Sequence, residues 1–120
     1  MNLERIFDYR QEAALYGLAT VFLLAGVSKF FTPSLWTGYE PGFVTGLLPL
    51  TAKQFTYAAG HLEGLIGLLL FFDYRTRKVA SIATLWLLAI TISVATMQLW
   101  TIALRDLGLV ALAYTVAAGD

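Results

Sequence analysis

Four apolar runs, at residues 13–31, 55–72, 79–97 and 102–118, take up most of a chain of only 120 residues. Each is about as long as a helix that crosses a hydrocarbon core of roughly 30 Å at 1.5 Å per residue. Inside lipid a backbone must satisfy its own hydrogen bonds, so runs of this length become helices. The expected fold is therefore all-α, an integral membrane four-helix bundle, with residues 1–120 forming one transmembrane domain. Composition agrees: 58% of residues are hydrophobic and 13% charged, and the mean hydropathy is +0.71. A soluble domain of this length could not cover so much apolar surface.

Zero formal charge gives no footprint for nucleic acid. The absence of cysteine removes disulfides, thiolate metal sites and iron–sulfur ligation within the chain. A single histidine cannot clamp a haem from both sides, and no metal site or covalently bound cofactor is expected. The opening "MNLERIFDYRQE" mixes charges, and no small-x-small site follows its apolar run, so no cleaved leader is expected.

The boundary between the last two helices is marked by neither glycine nor proline, since "ATMQLWTIALRD" contains none. One helix from 79 to 104 would leave 107–118 too short to cross, which requires a break. Arg5, Arg10, Arg75, Arg77 and Lys78 share one side of the expected topology, against Lys29, Lys53 and Arg105 on the other. That excess places both termini in the cytoplasm. "FDYR" occurs twice, at 7–10 and 72–75. It is explained by interface anchoring and the positive-inside bias without a duplicated hairpin.

The connection 32–52 holds all three prolines and cannot continue a spanning helix. Trp36, Tyr39 and Phe43 would sit at head-group depth, making this an interfacial outer loop. It is either an aromatic belt or a lid on a lipid-soluble ligand.

"GHLEGLIG", residues 60–67, places Glu63 roughly 12 Å below the outer boundary. An ionised carboxylate there costs at least about 2.5–3.5 kcal/mol unless paired, protonated or wetted. Gly60, Gly64 and Gly67 form a small-residue stripe that admits another helix. His61 and Glu63 lie about 200° apart on the helix, so they neither bond each other nor form a zinc motif. By depth, Lys29, His61, Glu63, Gln98, Arg105 and Asp106 fall in the outer half of the bundle. Glu63 is expected to face Lys29 or Arg105, with arginine the better partner because its fork satisfies both carboxylate oxygens. Such a cluster fixes helix register, binds the polar head of a quinone or lipid, or relays protons. His61 alone reads more readily as an interface histidine than as a ligand.

"LATVFLLAGVSKFFTP", "AAGHLEGLIGLLLFFDYRTRKVA" and "RDLGLVALAYTVA" together resemble DoxX-like membrane proteins over nearly the whole chain. The resemblance implies a four-helix bundle and puts Lys29, Pro33, Glu63 and the Arg105–Asp106 pair at recurrent positions. The family includes subunits of thiosulfate:quinone oxidoreductase and proteins tied to quinone stress; others act in assembly. Related four-helix proteins of disulfide chemistry carry cysteines, which this chain lacks. The expectation is a small accessory subunit of a membrane redox complex in the cytoplasmic membrane of a prokaryote. Its partners would be lipids and other subunits or a second copy, with quinone a possible ligand. The alternative is a non-catalytic assembly factor or a structural, lipid-contacting protein. Whether the chain catalyses anything is left open.

Overall fold

The computed structural model describes residues 9–36 and 51–119. Four helices follow in order: α1 (Arg10–Phe31), α2 (Ala52–Phe71), α3 (Thr76–Thr96) and α4 (Trp100–Ala118). A 3-10 turn, Pro33–Leu35, follows α1, and no strand occurs among the described residues. Tyr39 and Phe43 lie outside the described residues.

Local chemistry sets each boundary. Proline at position 33 cannot extend α1, and the chain turns at Thr32. At the start of α2 the Thr51 hydroxyl accepts the Gln54 N–H at 3.1 Å, while Gln54 Oε1 accepts the Thr51 N–H at 2.9 Å. This reciprocal pair supplies partners for two donors that a helix start leaves bare. Between α2 and α3 the chain reverses through Asp73 (φ 54°) and Arg75 (φ 47°), and the Thr76 hydroxyl donates to the Asp73 carboxylate. The break between α3 and α4 falls at residues 97–99. There Gln98 takes φ 60°, the left-handed position that glycine more often fills.

The helices pair as two antiparallel hairpins. α1 and α2 pack along their length, as do α3 and α4, whereas contacts between hairpins are sparse. The apolar core lies towards one end: Leu18 and Phe22 of α1, Leu70 of α2, Ala80 and Leu87 of α3, and Ala113 of α4 are buried together there. At the other end the hairpins draw apart. We call these the closed and the open end.

Glycine decides how closely α1 and α2 approach. A Cβ built on Gly26 would lie 2.6 Å from the Gly64 nitrogen and 2.8 Å from the Gly60 oxygen. One built on Gly67 would lie 2.7 Å from the Leu23 nitrogen. Backbone meets backbone at both points, so no side chain fits. The stripe expected at Gly60, Gly64 and Gly67 thus needs one qualification. A Cβ on Gly64 would meet nothing within 4 Å, because the position it would take faces away from the contact that the Gly64 backbone makes.

Helices α1, α3 and α4 are each long and apolar enough to cross a membrane. They present Leu24, Leu85 and Leu104 almost bare, at 66–69% exposure, as lipid-facing helices do. α2 is as long but carries Lys53, Gln54, His61 and Glu63, and it falls short of that apolarity. It nevertheless lies alongside α1, and so at the same depth. The chain is an integral membrane protein.

Candidate functional site

Where the hairpins separate at the open end they enclose a cavity of about 750 Å³. All four helices contribute to its wall. Most of the lining is apolar, from residues such as Phe22, Ala59, Leu87 and Ile90. Into that wall are set Lys29, Glu63, Arg105 and Asp106, with Trp36 and Trp86.

Lys29 Nζ lies 2.5 Å from Glu63 Oε1, and the two side chains are 9% and 6% exposed. Oε1 is closed off from solvent and makes no hydrogen bond of ordinary geometry, so the ammonium is what balances its charge. The other oxygen, Oε2, accepts the indole N–H of Trp86 at 3.2 Å. The carboxylate therefore ties α1 to α2 by charge and α2 to α3 by a hydrogen bond. The ammonium also sits 3.7 Å from the centre of the Trp36 ring. This cation–π contact fixes the turn after α1 over the pair. Two further charges stand on α4. Asp106 is buried, and its Oδ1 accepts two long contacts of 3.4 Å from Arg105, whose side chain is 66% exposed.

The family model for DoxX matches residues 16–96. The chain belongs to the DoxX family. No curated protein and no solved structure matches it. The matched segment takes in Lys29, Glu63 and Trp86 of this DoxX chain, whereas Arg105 and Asp106 on α4 lie beyond it.

Of the six polar residues grouped by depth, the fold brings Lys29, Glu63, Arg105 and Asp106 to one cavity. The cation at Glu63 is Lys29, not the arginine that fork geometry favoured. Lys29 rides on the helix that α2 touches most closely, and Arg105 reaches instead towards the rim. His61 lies outside the cluster. It is exposed on the far face of α2, where the 200° separation from Glu63 puts it. Gln98 is exposed in the α3–α4 turn and lines nothing.

Trp86 is the residue that sequence reasoning passed over. One signal was available: its indole falls mid-span in an apolar run, where no interfacial belt explains it. A buried N–H in lipid needs an acceptor, and Glu63 is the carboxylate at that depth.

The arrangement can hold an amphiphile, with an apolar body against the aliphatic wall and a polar head at the charged one. Lys29 is set against Glu63 and Arg105 against Asp106, so the formal charges of the wall cancel. An uncharged head group is the better match. Among the described residues no cluster of histidine, aspartate and glutamate could hold a metal ion.

Proposed function

We propose that this DoxX protein is a small accessory subunit of a membrane redox complex, and that its cavity receives the head group of a quinone. One observation carries the reading: an apolar cavity of about 750 Å³, open between two hairpins, meets a charge-balanced polar wall. The volume falls in the usual range of small-molecule sites, roughly 300–1,000 Å³. Arg105, held to Asp106 only at 3.4 Å, has donors to spare for a carbonyl head. The protein would lie in the cytoplasmic membrane of a prokaryote, with the basic turn Arg75–Lys78 and both termini on the cytoplasmic side.

The Lys29–Glu63 pair is already satisfied within the chain, which favours a second reading. In that reading the polar wall only fixes the helices, the cavity holds a lipid tail, and the chain serves assembly.

A short-chain quinone titrated into detergent-purified protein separates them, because Trp36 and Trp86 stand in the wall and report on it. Saturable quenching of their fluorescence is expected. It should weaken at least about tenfold in Ala25→Phe, which pushes a ring into the cavity, and in Arg105→Gln. Linear, non-saturating quenching, with lipid alone recovered on extraction, would leave the structural reading.

A further inference from the structure

On the side of the first hairpin away from the cavity, Lys53, Tyr57 and His61 recur every four residues along α2 and so share one face. Tyr57 stacks on Phe30 of α1 at 5.7 Å and 8°, and the Lys53 ammonium lies 5.8 Å from the Tyr57 ring centre. His61 meets the edge of Phe30 at 4.8 Å and 80°. The imidazole is held in one orientation: Nδ1 lies 3.0 Å from the Tyr57 carbonyl oxygen. A carbonyl can only accept, so the proton is on Nδ1, and in the neutral ring the lone pair is on Nε2. His61 is exposed, and Nε2 has no partner among the described residues.

His61 is two residues nearer the outer end of α2 than Glu63, which puts it roughly 9 Å below the outer boundary. An acceptor facing hydrocarbon at that depth is unfavourable. Helices α1, α3 and α4 show lipid leucines such as Leu24, Leu85 and Leu104; this face of α2 shows it an aimed acceptor. Ala58 and Gly64, three residues to either side, leave the flanks low, and a Cβ on Gly64 would enter open space. A second helix could lie close against them.

We infer that this face of α2 is a docking surface for a transmembrane helix of another subunit, one that presents an O–H or N–H donor to His61 Nε2. A second copy of this chain fits less well. A two-fold axis along the membrane normal would set two His61 acceptors at equal depth, with no donor between them. The inference rests on the accessory-subunit reading above and names the surface through which the subunit would join its complex.

The test is site-specific photocrosslinking of the full chain in its native membrane. A photoreactive residue replaces Leu65, one turn beyond His61, or, as a control, Leu85 on the lipid-facing side of α3. Position 65 should yield an adduct with a different membrane protein, and position 85 lipid adducts only. The crosslinked peptide should map to a transmembrane segment with a Ser, Thr, Asn, Tyr or Trp at the contact. His61→Phe keeps a ring against Phe30 and deletes the acceptor. It should cut adduct yield roughly three- to thirtyfold, the worth of one interhelical hydrogen bond in a bilayer, with thermal stability unchanged. His61→Asn restores an acceptor and should recover part of the yield. Lipid adducts alone at position 65, an adduct of twice the chain's mass, or a yield indifferent to residue 61 would each overturn the inference. A captured partner without a redox centre would support the docking surface and remove the redox-complex reading. Lipid adducts at 65 together with saturable quinone binding would do the reverse.

Discussion

Glu63 on α2 stands 2.5 Å from Lys29 on α1, and each side chain is less than a tenth exposed. A pair so placed is costly to assemble and more costly to break. Removing one member strands the other, a penalty of about 3–5 kcal/mol. Glu63→Gln and Lys29→Met should each lower stability by that order. The double variant should lose less than the two singles added together. Arg105→Gln, by contrast, removes a mostly exposed side chain and should shift stability by less than ~0.5 kcal/mol. Thermal melting in mild detergent measures all four. Additive losses in the double variant would mean that the two charges are not coupled.

Helix approach gives a second expectation. Gly26→Ala drives a methyl into the backbone of α2 and should cost about 1–3 kcal/mol, as overpacking does. Gly64→Ala places its methyl in open space and should leave melting close to wild type. Equal losses at the two positions would mean that α1 and α2 do not meet at Gly26.

Trp86→Phe retains an aromatic ring but takes away the donor to Glu63 Oε2. Hydrogen bonds to charged groups contribute about 1.5–3 kcal/mol, so a loss of that size is expected. It should shrink to about 0.5–1.5 kcal/mol in a Glu63→Gln background, where the acceptor is no longer charged. Persistence of the full loss in that background would assign it to packing of the indole.

Topology can be checked with the chain's own lack of cysteine. Ser34→Cys, in the turn after α1, and Arg75→Cys, in the α2–α3 turn, are both exposed positions at opposite ends of the bundle. An impermeant thiol reagent should label position 34 in intact cells and position 75 only after permeabilisation. The reverse pattern would invert the orientation.

Apolar length alone made the four helices legible, and the depth of Glu63 followed from counting residues along α2. Azimuth and neighbour order were harder to read. Depth grouped His61 and Gln98 with Glu63, but His61 points the other way around the helix and Gln98 ends one. Which cation serves Glu63 depends on which helix lies beside α2. That is decided by a backbone contact at Gly26, a glycine whose role shows only when α1 and α2 are set side by side. The α3–α4 break was required by helix length, while its device, a left-handed glutamine, has no mark in the sequence.

Two hairpins that hold tightly within themselves and loosely to each other also imply an order of assembly. Packing inside each hairpin is far denser than between the hairpins, so each hairpin is the tighter unit and forms first. Closure of the hairpins against each other comes after, and the bond from Trp86 to Glu63 belongs to that last step. The cavity is what this late docking leaves unfilled. Separate chains, one ending and one beginning in the exposed α2–α3 turn, should each insert, meet in the bilayer and rebuild the site. Recovery of quinone quenching from the co-expressed halves, and from neither alone, would measure that step directly.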